Sequence, residues 1–318
     1  MKMSRNNQAI TVHELTMEFP GVVAVDRVSF DVKPGEIFGL VGPDGAGKTT
    51  TLRMLAGVLT PSSGSAAVAG FDIWREPEGV KNHISYMSQR FGLYEDLTVD
   101  ENIRFYADLF GLSSSDRKRR ASTLLEAAGM SPFGNRLAGK LSGGMKQKLG
   151  LICALIHTPR VILLDEPTNG VDPVSRRDFW RILYSLLGEK IAILLSTSYL
   201  DEAERCHRVA LLHQGRLLYC NTPAELKKRV PGGVVAVVSP EPRRLRDFLA
   251  GSEGISNMVL VGDGLHLMVD DAPKRAAELR ARIASANLPF DRIEEAAPTI
   301  EDLFVQAVQS ERARAGSG

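Results

Sequence analysis

Cysteine, net charge and long apolar runs are all scarce in this chain, and each scarcity closes off a class of protein. The three cysteines, Cys153, Cys206 and Cys220, are odd in number and widely spaced. They make neither a disulfide framework nor a metal site, and they read as small apolar fillers in a reducing compartment. Lys and Arg number 39 against 38 Asp and Glu, a formal charge of +1. That balance gives no electrostatic footprint for nucleic acid or an acidic membrane surface. His13, His83, His157, His207, His213 and His266 show no metal-ligand spacing. No run approaches the ~18 apolar residues of a membrane span, and the start, MKMSRNNQAI, lacks the apolar stretch of a signal peptide. What is present is a globular composition: 318 residues, 44% hydrophobic, with 29 Gly and 16 Pro, enough for about two domains.

Two textures divide the chain. Across residues 8–230, short apolar runs alternate with helical patterns. Residues 37–41, 161–164 and 191–195 read as buried parallel strands, and residues 47–58, 100–110, 117–128, 142–157 and 175–187 read as helices between and after them. Alternation of this kind predicts an α/β fold with a doubly wound sheet. After Pro231-Gly232-Gly233 the order becomes strand 234–239, helix 243–250, a hairpin of 256–260 and 265–269 turned at Gly262-Asp263-Gly264, helix 274–286, strand 290–294 and helix 300–308. This is the β-α-β-β-α-β order of a small α+β ferredoxin-like domain, expected over 231–310, with 311–318 as a flexible tail whose closing residues 314–318 have linker composition. The basic run Arg117-Lys118-Arg119-Arg120 reads as a solvated helix face.

The chemistry sits in the first part. Gly42-Pro43-Asp44-Gly45-Ala46-Gly47-Lys48-Thr49 fits G-x-x-x-x-G-K-[ST] between an expected strand and helix. Its glycines let the backbone wrap a phosphate with N–H groups inward, and the following helix adds its positive end. Lys48 is expected at the β- and γ-phosphates and Thr49 at Mg²⁺. The apolar run ending in Asp165-Glu166 delivers Asp165 to the metal and Glu166 beside the γ-phosphate as a base for water. Together these make a Mg-nucleotide site of the P-loop NTPase kind.

Leu141-Ser142-Gly143-Gly144-Met145-Lys146-Gln147, one helix before Asp165, would by itself be a helix N-cap and turn. In this position it resembles the signature of ATP-binding-cassette (ABC) ATPases, a resemblance that extends from residue 10 to about 230. Gln89 is similar to the family's Q-loop glutamine, Gly170-Val171-Asp172-Pro173 to its D-loop, Phe19 to the aromatic that stacks on adenine, and Glu166 to its catalytic carboxylate. The resemblance implies ATP and Mg²⁺ as cofactors. It implies catalytic roles for Glu166, Lys48, Gln89 and the switch position Ser198, metal contact by Thr49, Gln89 and Asp165, and a cofactor cradle of residues 42–49 extended by Thr50 and Phe19. Ser142, Gly143, Gly144 and Asp172 would contact ATP held by the loop of an opposing ATPase domain.

Three further stretches, residues 140–147, Tyr199-Leu200-Asp201-Glu202-Ala203-Glu204 and Pro298-Thr299-Ile300-Glu301-Asp302-Leu303-Phe304, resemble the ATPase subunits of ABC-2-type bacterial exporters of the daunorubicin-resistance kind. That resemblance implies a cytoplasmic subunit, peripheral on the inner face of the membrane, that docks on separate ABC-2-type membrane-spanning subunits. The docking cleft would lie near residues 89–110, with Phe91, Leu93, Tyr94 and Phe105 as apolar contacts. Neither two cassettes with a charged linker nor a long coiled-coil insertion is present to favour the rival reading, a soluble ABC ATPase of translation or DNA maintenance. Retention of Glu166 counts against a non-hydrolysing scaffold.

Two positions depart from the family pattern. Ser198 replaces the usual switch histidine and cannot carry positive charge. Asp44 replaces the usual Asn or Ser, and a carboxylate ~6 Å from one unit of phosphate charge costs roughly 3 kcal/mol at an effective dielectric of ~20. Both predict a slow site on this loop, and so a second, different ATPase domain as partner in preference to a second copy.

Overall fold

The computed structural model describes residues 8–89 and 92–315, which divide into two compact units. The first runs to Glu202 and includes Cys206–Cys220; the second takes Ala203–Arg205 and the chain from Asn221. In chain order the first unit holds β1 (Ile10–Phe19), β2 (Val22–Val32), β3 (Ile37–Val41), α1 (Lys48–Leu55), β4 (Ser63–Val68), β5 (Phe71–Asp72), α2 (Pro77–Lys81), β6 (Ile84–Met87), α3 (Val99–Leu109), α4 (Ser114–Ala127), α5 (Gly143–Leu155), β7 (Val161–Asp165), α6 (Pro173–Ser185) and β8 (Ala192–Thr197). The short helix α7 (Leu200–Ala203) follows, then β9 (Arg208–His213) and β10 (Arg216–Asn221).

One sheet, in the order β10-β9-β3-β8-β7-β6, carries the site. Its central strand β3 is buried at all five positions, as a strand covered on both faces must be, and it pairs in parallel with β8 and β9. Because β3, β7 and β8 are parallel, Val41 lies opposite Thr197 and Asp165 opposite Ser196. The segments leaving β3, β7 and β8 therefore emerge at one edge, the carboxyl end where α/β sheets bind ligands. A second, antiparallel sheet of order β2-β1-β4-β5 packs its apolar side into the same core, where Phe30 stacks on Phe38 at 5.2 Å. The alternation of strands and helices does not separate this sheet from the parallel one, because bulges in β1, with Glu14 at φ 45°, interrupt its period-two pattern.

The second unit contains α8 (Pro223–Lys227), β11 (Gly233–Val238), α9 (Pro242–Leu249), β12 (Ile255–Val261), β13 (Gly264–Val269), α10 (Ala272–Ser285), β14 (Arg292–Ala296) and α11 (Ile300–Ala315). Its antiparallel order β12-β13-β11-β14 is the ferredoxin-like arrangement. Three boundaries need correction. The division falls at Asn221 and not at 230/231, because α8 packs on α11 and Lys227 pairs with Glu204 at 2.6 Å inside the second unit. The last strand starts at Arg292, not 290, since Pro289 has no N–H to donate and its carbonyl is taken by the Ser239 hydroxyl at 2.7 Å. The expected tail is helical through Ala315, the continuation of α11.

Among the described residues no helix is long and apolar enough to cross a membrane. Cys153 and Cys206 are buried, which pushes both thiols up and suits them to packing.

Candidate nucleotide site

The phosphate loop joins β3 to α1. Gly47 caps α1 at φ 96°, a conformation natural to glycine, and a side chain there would also strike the Ala24 carbonyl. Lys48, only 4% exposed, donates to the Gly42 carbonyl at 2.7 Å and the Pro43 carbonyl at 3.0 Å, and forms an ion pair with Glu166 Oε1 at 3.0 Å. The ammonium thus lies at the mouth of the loop, where three oxygens already turn toward it.

Asp165 closes β7 and receives three hydroxyls: Thr49 Oγ1 at 2.9 Å and Ser196 Oγ at 2.7 Å on Oδ1, and Tyr86 OH at 3.4 Å on Oδ2. Burial and the Asp165 charge push the Tyr86 phenol above its usual range, so it remains a donor. Glu166 follows in the left-handed region at φ 47°, its N–H bound by Ser196 and its Oε2 accepting from Asn169 Nδ2 at 3.3 Å. The chain after β8 is fastened by buried Glu202, which accepts from Thr168 at 2.6 Å, Thr197 at 2.8 Å and Trp180 at 3.2 Å.

Lys48, Thr49, Glu166 and Asn169 border a cavity of about 790 Å³ whose lining also takes in Val22, Val23, Ala24, Asp44, Gly45, Ala46, Gly47, Thr50, Gln89 and Gln214, while Asp165, 1% exposed, lies off the lining, bonded to Thr49. The cavity's volume suits a ligand of nucleotide size. Gln89 lies on this lining. Gly42 and Pro43 contribute carbonyls to Lys48 and do not line the cavity. Phe19 is not among the lining residues either; it is 40% exposed and pairs in register with Val22, which is. Ser198 is exposed just beyond β8 and also lies off the lining.

The signature residues form a separate feature. Ser142 caps α5, its Oγ accepting from Met145 N at 3.3 Å, while Gly143 is exposed. A side chain at Gly144 would collide with Ser175 and come within 3.4 Å of Asp172 Oδ2. Asp172 caps α6 by accepting from Ser175 N at 2.9 Å and Val174 N at 3.1 Å, bonds that hold its carboxyl below the usual range. None of Ser142, Gly143, Gly144 and Asp172 borders the cavity.

A sequence family described as ABC transporter matches residues 25–169. The chain is 36% identical to the Nod factor export ATP-binding protein I of Burkholderia thailandensis over 275 residues, covering 86% of this chain and 90% of that protein. The chain belongs to the ABC transporter ATP-binding family. Its cassette, the first unit, is of a kind that binds ATP. The doxorubicin resistance ATP-binding protein DrrA of Mycobacterium tuberculosis is 34% identical over 89% of this chain and 88% of its own length. The probable multidrug ABC transporter ATP-binding protein YbhF of Escherichia coli is 45% identical over 94% of this chain, and the chain spans 52% of that relative's length. A solved structure of an ATP binding subunit of an ABC transporter matches with 30% identity and a TM-score of 0.64, over 70% of this chain and 92% of that one. A dimeric bacterial ABC transporter cassette matches at 24% identity and a TM-score of 0.61, a likeness of fold.

Seven cassette residues around the site escape motif reading: Val22, Val23, Ala24, Asn169 and Gln214 on the lining, and Tyr86 and Ser196 on Asp165. Asn169 leaves a faint trace, three positions past Glu166 in a turn closed by its own N–H on the Glu166 carbonyl at 3.1 Å. The basic run is absorbed locally: Arg117 pairs with Asp108, Arg119 with Asp116, and Arg120 donates to the Ile156 carbonyl. Of the expected apolar docking residues, Tyr94 and Phe105 are exposed and meet edge to face at 4.6 Å, Leu93 is half-buried, and Phe91 lies outside the described residues.

The donor set suits Mg²⁺. Thr49 and Asp165 turn hard oxygens toward each other, and no group of three or more His, Cys, Asp or Glu side chains forms a metal site among the described residues. An ion bound there would draw its remaining ligands from phosphate and water, as Mg²⁺ does.

Proposed function

We propose that the chain is the ATP-hydrolysing subunit of an exporter, driving a separate ABC-2-type membrane-spanning partner from the inner face of the cytoplasmic membrane. The observation that carries this reading is the convergence of Lys48, Thr49 and Glu166 on a nucleotide-sized cavity at one sheet edge, with Asp165 bonded to Thr49 just off its lining. The relatives support the transport half, since they are named as ATP-binding proteins of Nod factor export, doxorubicin resistance and multidrug transport.

In this reading Lys48 exchanges its Glu166 contact for the β- and γ-phosphates, and Thr49 and Asp165 hold Mg²⁺, with Gln89 as a further metal contact. Bound Mg²⁺ would supply charge neutralisation for the phosphate oxygens. Glu166, released from Lys48 and steadied by Asn169, accepts a proton from water as the water oxygen attacks the γ-phosphorus. The bond from that phosphorus to the bridging oxygen of ADP breaks, and phosphate and ADP leave. Phe19, beside Val22, stacks on adenine, and Asp44 and Ser198 slow the turnover.

Ser142, Gly143, Gly144 and Asp172, all off the cavity, serve ATP on the loop of a second ATPase domain. A different domain with the ordinary histidine is favoured over a second copy. The second unit, which lacks a phosphate loop, is an accessory that regulates or supports this pairing.

Purification from native membranes tests the partner. ABC-2-type membrane-spanning proteins should accompany the chain; recovery with ribosomes or DNA in their place would overturn the exporter reading.

A further inference from the structure

Strand β8 is apolar and buried from Ala192 to Leu195, and then places two hydroxyl residues, Ser196 and Thr197, in a fully buried stretch. Alternation sends them to opposite faces. Thr197 serves the Glu202 carboxylate. Ser196, with no solvent exposure, donates to Asp165 Oδ1 at 2.7 Å and accepts from the Glu166 N–H at 3.0 Å. A buried polar side chain of this kind is held by what it binds, and here one oxygen binds two consecutive acidic residues of the site.

Both bonds have a physical motive. Glu166 sits at φ 47°, where the backbone leaves the regular ladder of β7, and its N–H is shared between the Ser196 carbonyl at 3.2 Å and the Ser196 hydroxyl at 3.0 Å. Asp165 needs a fixed carboxylate plane. Thr49 also donates to Oδ1, at 2.9 Å, and keeps that proton if its oxygen ligates a metal, while the Tyr86 bond is long at 3.4 Å. Ser196, at 2.7 Å, makes the shortest of the three bonds that orient Asp165, and it is the one whose oxygen is committed to no metal.

We propose that Ser196 is a positioning residue of the hydrolytic centre: its hydroxyl sets the Asp165 carboxylate for metal and ties the Glu166 backbone to the same point. The inference rests on the nucleotide-site reading above and adds a residue outside the phosphate loop, the signature and the cavity lining.

The test compares the full chain with Ser196→Ala and Ser196→Thr. ADP binding is measured by calorimetry over a Mg²⁺ series and in EDTA, alongside the Mg²⁺ dependence of phosphate release. Loss of an outer-shell partner costs about 10–100-fold in metal affinity, so Ser196→Ala should need about tenfold more Mg²⁺ for half-maximal effect in both assays. Its ADP affinity in EDTA should stay within about twofold of the parent, and Ser196→Thr, which keeps the hydroxyl, should restore the Mg²⁺ dependence. An unshifted Ser196→Ala, an equal loss of binding in EDTA, or a folded Ser196→Thr that fails to restore it would each overturn the proposal. A parent chain that hydrolyses no ATP while Ser196→Ala still shifts Mg²⁺-dependent ADP binding would remove the hydrolytic reading and support this one. Normal parent turnover with an unshifted variant would do the reverse.

Discussion

Lys48 Nζ stands 3.0 Å from Glu166 Oε1 with both side chains at least nine-tenths buried, so the cation of the phosphate loop and the candidate base neutralise each other. Removing one member of a buried pair leaves the other charge uncompensated, at about 3–5 kcal/mol. Lys48→Ala should therefore lower both nucleotide affinity and unfolding free energy. The double variant Lys48→Ala/Glu166→Gln should recover most of the stability and none of the affinity. Calorimetry and denaturant unfolding on the same samples check both.

Ser198 lies exposed beyond the end of β8. A histidine there would replace the short hydroxyl with an imidazole and so add the capacity for positive charge. Ser198→His should raise MgATP turnover by about tenfold, a modest share of what a positioned acid–base group supplies. Phosphate release measured on the chain alone, and again with its native partner, reads the effect. A parent rate already ordinary for a cassette, unchanged by histidine, would count against a slow site.

His157 gives the first unit an acid sensitivity. Its ring stacks on Phe110 at 3.6 Å and its Nε2 meets the Ile84 carbonyl at 3.2 Å. Burial pushes its pKa down to about 4, from 6.5. The unfolded chain takes up this proton near pH 6.5 and the folded chain only near 4, so the stability present above 6.5 is lost as pH falls across that window. One proton corresponds to a slope of about 1.4 kcal/mol per pH unit. His157→Phe should lack this component when denaturant unfolding is followed from pH 7 to 4.

Asp302 anchors α11 in the second unit. Its buried Oδ2 faces His266 Nδ1 at 3.0 Å and accepts from Thr299 N and Oγ1, both at 2.8 Å. Burial alone would push this carboxyl up, but the His266 and Thr299 bonds outweigh it and hold the group below its usual range. Asp302→Ala should cost about 2 kcal/mol, typical of hydrogen bonds to a charged group. Thermal unfolding should show the loss while nucleotide affinity stays unchanged.

The site was legible where its chemistry is contiguous. Residues 42–49 and Asp165-Glu166 carry strict spacing, and the buried runs β3 and β7 stand out between Gly and Pro. Contacts across the sheet were not legible. Ser196 meets Asp165 only because β7 and β8 run parallel in a register that pairs the two residues, and nothing local announces it. The Lys48–Glu166 pair likewise depends on two loops leaving β3 and β7, on either side of β8, at one edge. In the second unit the strand order was readable from alternation. The end of α11 was not, because the closing residues 314–318 have linker composition while the backbone remains helical through Ala315.

The account depends most on Glu166 acting as the base, and phosphate release from MgATP by the parent and by Glu166→Gln measures this directly. The amide keeps the shape and loses the proton acceptor, so release should fall by at least ~100-fold, with ATP retained and a dimer stabilised. Equal turnover by the two proteins would contradict the account.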